Sequence, residues 1–444
     1  MNRCTQILFT CAILAPVFPS IVLAQAAADS AADSTEANPA NETIWTRDKL
    51  TGDWGGLRSD LTKHGIDIDL RLSQYWQGVT DGGREKNDEY GGTMDYRVKL
   101  DGNKLFGSWE GFSIDMHART RFGDDIGADA GELAIPNTGL LMPLPGDYQD
   151  TDITGLTVNQ MFAVGDEHLG MATAGKLDIL DAVTLFFPSV AYGQEGFQNI
   201  NGLVSALPWL GAVNGLSLYG GWLATINKEY GQGQSAILVT GTENVTTTWG
   251  EVSDSFDDAW IAAFHRFFYK LDDKPGYLMV FGGYSTREQP SNDPHDHVFV
   301  PGQGIVTTEE EKPWDIALYL SQDLWHAEGD PSRKTTLLIG GTAGPDNPQM
   351  AQYNFFTSVE SYGPMASRPH DRMGVSGWYN VFSDKFTDLV EPVAELRDTW
   401  GFEFYYNYQI TPAIHLTADL QLLENEWKGD DVAVVPGGRL VIDF

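Results

Sequence analysis

The chain has 444 residues, 42% of them hydrophobic, with 62 acidic against 28 basic side chains and a formal net charge of −34 at pH 7. That balance excludes nucleic acid as a partner, because phosphates need a basic footprint, and excludes electrostatic docking on an anionic membrane surface. The two cysteines, Cys4 and Cys11, sit at the very start of the chain, so the rest holds no disulfide, thiolate metal site or cysteine nucleophile.

Residues 1–24 read as a secretory signal peptide, with an apolar run over 7–15 and Val22 and Ala24 at the small-residue spacing of a cleavage site. The run is too short, and too broken by Pro16 and Pro19, to be a membrane anchor. Residues 25–44 are low-complexity Ala/Ser/Asp, a disordered lead-in, and residues 45–444 read as one domain. "LTGDWGGLRSDLTKHG" then predicts one short helix, with Leu57 and Leu61 four apart, Asp53 to cap it and Gly65 to end it.

From there the pattern is strands. "GIDIDLRLSQYW" sets Ile66, Ile68, Leu70 and Leu72 on one face and Asp67, Asp69 and Arg71 on the other. "TMDYRVKLDG" and "GFSIDMHARTRFG" repeat the rhythm, with Asp95, Arg97, Lys99, Asp115, His117, Arg119 and Arg121 on their charged faces. Eight later segments follow it less cleanly: those opening at 215, 257, 276 and 314, then "KTTLLIGGT", "WGFEFYYNYQI", "AIHLTADLQLL" and "GRLVIDF". Weaker candidates near 154–165, 168–178, 236–249, 351–360 and 371–382 bring the count to about sixteen. Tight connectors such as "LDDKPG" alternate with long Gly/Pro/Asp-rich ones such as 124–150 and 288–313, which is the habit of transmembrane barrels. Aromatics gather at strand ends (Tyr75, Trp76, Trp249, Trp314, Trp325, Trp400, Tyr405, Tyr406, Tyr408), where two belts would flank lipid.

The last strand ends on Phe444 with Leu440 and Ile442 on one face and Arg439 and Asp443 on the other. A sheet in lipid must close, because an open edge leaves amides unsatisfied. The fold class is therefore all-β, a transmembrane antiparallel barrel of about sixteen strands with a short N-terminal helix at or inside it. A soluble sandwich is the lesser alternative.

"LTGDWGGLRSDLTKHGI" (50–66), "NKLFG", "AGKLDILD" (174–181) and the tail "GFEFYYNYQITPAIHLTADLQLLEN…GGRLVIDF" resemble the motifs of the carbohydrate-selective porins, the OprB family. The terminal Phe444 resembles the signal by which outer-membrane barrels reach their assembly machinery. The resemblance implies a sixteen-stranded barrel in the outer membrane of a Gram-negative bacterium, in contact with lipid and lipopolysaccharide. It also implies passive passage of small neutral sugars, glucose-like monosaccharides above all.

In that reading the charged faces line a wet lumen, ionic within and oily outside. Lys176, Asp178, Glu403, Asp419, Gln421 and Arg439 join the wall residues already named, and Arg58 on the helix pairs a wall carboxylate and narrows the bore. Sugar hydroxyls both donate and accept, so interleaved carboxylates and guanidiniums can replace their hydration. Trp54, Phe197 and Trp209 are candidates to stack on a sugar face. His295 and His297 in "PHDHV" form a weak loop candidate for metal, set aside in favour of a solvated loop; no cofactor is expected. A barrel hydrolase, a general weakly cation-preferring pore and a soluble sugar-binding sandwich are the rival functions.

Overall fold

The computed structural model describes residues 43–132, 151–165, 168–181, 195–202, 215, 217–227, 233–243, 245 and 255–444. The expected signal peptide, nearly all of the lead-in, Trp209 and Trp249 lie outside the described residues. Within Thr43–Phe444, which form one compact unit, sixteen long strands make a closed antiparallel barrel. They are β1 Ile66–Gly78, β2 Asp88–Asp101, β3 Phe112–Gly123, β4 Thr151–Val164, β5 His168–Asp178, β6 Ser217–Asn227, β7 Gln234–Gly241 and β8 Ala259–Leu271. The second half is β9 Lys274–Ser285, β10 Trp314–Ala327, β11 Asp330–Ala343, β12 Ala351–Tyr362, β13 Arg372–Phe382, β14 Thr399–Thr411, β15 Ile414–Glu424 and β16 Asp431–Asp443.

Each strand pairs with its sequence neighbour, and β1 pairs with β16 to close the ring, Arg71 opposite Asp443 and Gln77 opposite Gly437. No described helix is long and apolar enough to cross a membrane; the strands do the spanning. Turns at one rim are short. At 272–273 both Asp272 and Asp273 have positive φ (48° and 61°), the backbone of a two-residue I′ hairpin turn, whose twist matches the strands it joins. The long connections that follow Gly123, Asp178 and Ser285 leave from the other rim.

β16 starts well before the expected "GRLVIDF", running through Pro436. The β1 ladder stops at Gln77–Gly437 and pairing resumes at Asp81–Val434. Pro436 falls in that gap, where a residue without N–H costs the least. β7 is shorter than read, ending at Gly241.

Outward residues are apolar and bare: Leu223, Ile237, Val280, Leu318, Leu320, Val375, Phe402 and Leu416 are all exposed. So many exposed aliphatic side chains around one ring belong in lipid, not water. Trp76, Tyr90, Tyr284, Trp314 and Tyr379 stand outward toward the long-loop rim, and Trp325 and Tyr408 toward the short-turn rim. Tyr75 and Tyr405 correct the belt assignment: odd positions of β1 and β14 point inward, and both rings are buried in the interior.

The interior itself is two-sided, which corrects the expectation of an ionic lumen all round. From β6 to β12 the inward positions carry Trp222, Trp260, Met279, Phe281, Tyr319 and Phe356, part of one buried apolar cluster. These are the strands whose sequences alternate least cleanly, because both of their faces are apolar. Charge is concentrated on β12 to β16 and β1 to β5.

The short helix α1, Leu57–Lys63, follows a 3₁₀ turn at Trp54–Gly56 and buries no residue. Asp53 Oδ1 accepts from Ser59 N (2.7 Å), satisfying a free amide of the first turn. Gly65 ends the segment at φ +85°, where a Cβ would meet Asp101 O at 2.9 Å. α1 sits at the short-turn rim, against the seam. Arg58 Nη2 donates to the Phe444 main-chain oxygen at 2.6 Å, and Leu50 N donates to Asp443 O at 2.6 Å. Arg58 therefore clasps the end of the chain rather than a wall carboxylate.

Two outcomes follow for stability. Leu320→Arg on the lipid face near mid-strand should lower folding stability in lipid vesicles by about 2–4 kcal/mol, read from urea titrations. Arg58→Ala should cost about 1–3 kcal/mol through loss of a charge-assisted bond and show as earlier thermal loss of the compact band on unheated gels.

Candidate functional site

Register converts the charged alternation of the first strands into ionic rows. Asp443, Arg71, Asp95 and Arg119 stand directly opposite one another across β16, β1, β2 and β3, so the signs alternate around the wall. Arg71 holds Asp443 with two bonds, Nε to Oδ1 at 2.7 Å and Nη2 to Oδ2 at 3.0 Å. Asp95 Oδ1 takes Arg119 Nε at 2.7 Å and His117 Nε2 at 2.7 Å, with all three side chains buried. His117 Nδ1 lies 2.7 Å from Asp181 Oδ2, and Arg97 Nη2 donates to Asp181 Oδ1 at 2.7 Å. Asp178 stands behind them, its Oδ2 3.5 Å from His117 Nδ1 and 3.7 Å from Arg119 Nη1. Lys176 is buried one pleat away, between the fields of Asp152 and Asp178.

A second row, Asp67–Lys99–Asp115, runs nearer the short-turn rim. Asp67 accepts from Thr62 (2.7 Å), Asp69 pairs with Lys49 (2.6 Å), and Asp115 is held by Asn159 and Ser113. Arg121 is at the far rim, 3.9 Å from Asp125.

Against the other end of the first row lies an inward-folded piece of the β5–β6 connection, residues 195–202. Glu195 reaches Arg71 Nη2 (3.6 Å) on one side and Arg372 Nη1 (3.2 Å) on the other. Arg439 Nη2 donates to Gly196 O at 2.8 Å. Glu403 accepts from two backbone amides, Gln198 N at 2.5 Å and Asn199 N at 3.0 Å, and Gln421 accepts from Asn199 Nδ2 at 3.2 Å. Asp419 in turn accepts from Gln421 Nε2 at 2.9 Å. Five adjacent strands, β13 to β16 and β1, thus pin one loop segment against the inner wall. Arg372 also donates to the Tyr362 hydroxyl (2.8 Å), and the Tyr405 hydroxyl donates to Glu360 (2.5 Å).

Of the aromatic candidates, Phe197 is fully buried with its ring edge-on to Tyr405 at 4.9 Å; it anchors the loop and offers no free face. Trp54 lies under the Arg58 guanidinium at 4.3 Å, at the rim. The loop histidines are not gathered: His295 Nδ1 faces Asp293 Oδ1 (2.9 Å) and His297 Nδ1 faces Thr307 (3.1 Å). Sequence reasoning missed Glu195, Asp181, Arg372 and Glu360, and placed Asp443 on the charged face without a partner. Glu195 sits in "YGQEGFQNING", which has no period to read; Asp443 and Arg372 sat on the right faces of strands already recognised.

Burial alone would raise the Glu195 carboxyl above its ordinary 4.5, but Arg71 and Arg372 outweigh it and hold the value below. A carboxyl depressed on folding contributes stability at higher pH and loses it only as pH falls through its folded value. The loop bridge should therefore keep single-channel conductance flat from pH 8 down to 5, with change appearing below 4.5. Glu403→Ala would orphan two buried amides, at about 1–3 kcal/mol each, and should raise conductance by freeing the loop; planar-bilayer recording and a melting curve check both.

Known proteins place the fold. The chain matches the family model "Carbohydrate-selective porin, OprB family" over residues 85–444. It is similar to the high-pH structure of Pseudomonas putida OprB, with TM-score 0.74 and 16% identity over 91% of this chain and 100% of that one. The low-pH structure of the same protein gives TM-score 0.55 and 16% identity over 90% and 99%. At such identity the likeness is one of fold. Comparison with curated proteins gives no match. A family match over most of the sequence, on a closed sixteen-stranded barrel, means that this chain belongs to the OprB family of carbohydrate-selective porins.

Proposed function

We propose that the barrel is a passive outer-membrane channel for small neutral carbohydrates, glucose-like monosaccharides favoured, without catalysis, cofactor or energy coupling. The observation that carries this reading is the Arg71–Glu195–Arg372 bridge, set where the inward-folded loop segment meets the charged wall. With Asp443 on Arg71, donors and acceptors alternate around a locally balanced charge, two of each sign. A neutral polyol can exchange water for them hydroxyl by hydroxyl, whereas an ion gains from one partner what it loses to the next. Lys99 and Arg97, both exposed on β2, with Asp67, Asp69 and Asp115, extend the same mixed wall toward the short-turn rim. A transport site must also release its solute, so an affinity near millimolar, about −4 kcal/mol, suits it.

The export reading belongs with this proposal: residues 1–24 as signal, 25–44 as lead-in, and Phe444 as the handle for barrel assembly, with lipid and lipopolysaccharide around the outer face. A general cation-preferring pore is the second reading, motivated by the net charge of −34. A hydrolase has less support. A described Ser–His contact, Ser235 Oγ to His265 Nδ1 at 2.8 Å, lies on the outward face of β7 and β8, away from the lumen.

In liposome swelling, purified protein should admit glucose faster than a size-matched zwitterionic amino acid; equal rates would defeat the selectivity. Reversal potentials in a salt gradient should show only mild cation preference, and a near-ideal cation pore would favour the second reading. An esterase assay on the same sample should stay blank.

A further inference from the structure

The geometry points to a divalent transition-metal site, of zinc-like chemistry, formed by His117 Nδ1 with one carboxylate oxygen each of Asp178 and Asp181. Among the described residues this is the group of His and acidic side chains whose ligand atoms all lie within 4.8 Å of one another. An ion bound tetrahedrally at about 2.0–2.2 Å to nitrogen and oxygen sets its ligand atoms roughly 3.3–3.6 Å apart, so Asp178 Oδ2 already stands at that spacing from His117 Nδ1 and Asp181 Oδ2 would move outward by about 0.6–0.9 Å. Asp181 Oδ2 is 2.7 Å and Asp178 Oδ2 3.5 Å from His117 Nδ1.

Three features prepare the site. The far nitrogen of the ring, Nε2, meets Asp95 Oδ1 at 2.7 Å. A ring that donates its Nε2 proton to a carboxylate presents the Nδ1 lone pair to an ion, the arrangement that orients metal-bound histidines. Asp178 is fixed in turn, its Oδ1 accepting from Leu180 N at 3.0 Å. Its Oδ2 is buried, with the side chain only 1% exposed, and accepts no hydrogen bond. A buried carboxylate oxygen in that condition has only the more distant Arg119 Nη1, at 3.7 Å, and no hydrogen bond to offset its desolvation.

A cation must lie between Nδ1 and Asp181, and the choice is a proton on the ring or a metal ion. A proton on Nδ1 is given to Asp181 and leaves Asp178 Oδ2 unbonded at 3.5 Å. A metal ion serves both oxygens at once. The surroundings tolerate it: Asp95, Asp152, Asp178 and Asp181 outnumber Arg97, Arg119 and Lys176, so with neutral His117 the cluster is anionic before an ion enters. Asp181 is one-third exposed, which gives an entry path and room for a water as fourth ligand. Asp178 ends β5 and Asp181 follows on the connection that carries Glu195, so the ion would tie the β3 wall to the root of the pore loop. This inference does not depend on which solute the channel carries.

The test uses the full barrel in detergent, stripped with EDTA and titrated with Co2+ as a spectroscopic stand-in for Zn2+. Expected is one Co2+ per chain at micromolar concentration or below, with a visible absorption band that Zn2+ abolishes. Asp178→Asn should lose the band, and Asp95→Asn should weaken binding about 10-fold by releasing the ring, while His295→Ala changes nothing. Should Asp178→Asn fail to form the heat-resistant barrel, Asp181→Asn at the loop root gives the same reading. No saturable binding below millimolar, undiminished binding in these Asn variants, or loss of binding in His295→Ala would overturn the site.

Discussion

The constraint on which the rest depends is that lipid offers no hydrogen bonds. Every backbone amide in the hydrocarbon must find a partner inside the protein, and for a sheet that means closure. Closure rests on the seam between β1 and β16, where Arg71–Gln77 meet Gly437–Asp443 in register. The chain reinforces that seam with groups from outside it. Leu50 and Arg58 hold the last two residues from the rim, Asp443 N donates to Ala413 O, and Phe444 N donates to Leu70 O. The helix α1 and the segment before it thus serve the ring rather than the bore.

Once the ring is closed, the pleat decides the rest. Alternate side chains must face in, and a sixteen-stranded ring is too wide for them to fill it. Here the two halves of the wall differ. Apolar inward side chains dominate from Trp222 to Phe356, with Arg266, Asp315 and Asp323 buried among them, while the charged half keeps its groups paired row by row. Ion pairs in such a setting give little net stability, because desolvation offsets attraction, yet breaking one partner away is costly. Their consequence is positional: Arg71, Arg372, Arg439 and Glu403 hold residues 195–202 inside the ring at fixed points along the charged wall.

The sequence carried much of this openly. Strict alternation in β1 to β3 made the inward faces of Asp67 to Arg71, Asp95 to Lys99 and Asp115 to Arg121 legible, because one residue of slip would turn charge into lipid. What lay beyond reach was contact between elements far apart in sequence. Glu403 and Arg439 could be placed on inward faces, but their partner, a loop segment more than two hundred residues earlier, leaves no periodic trace. The same holds for Asp181 beside His117. Arg58 and Phe197 went astray for a related reason: each is an anchoring group, and polar or aromatic character alone does not separate an anchor from a solute-binding face. The aromatic belts were blurred where Tyr75 and Tyr405 occur next to true belt residues, since only parity, not composition, tells inside from outside.

The proposed function requires a closed ring with a water-filled path along its charged wall, narrow enough for a sugar to feel Arg71, Glu195 and Arg372. The most direct measurement is single-channel current through the full chain in a planar bilayer while glucose is titrated. Such a waist predicts steady openings whose conductance glucose depresses, with half-effect in the millimolar range. Openings indifferent to glucose at any concentration, or no openings at all, would contradict it.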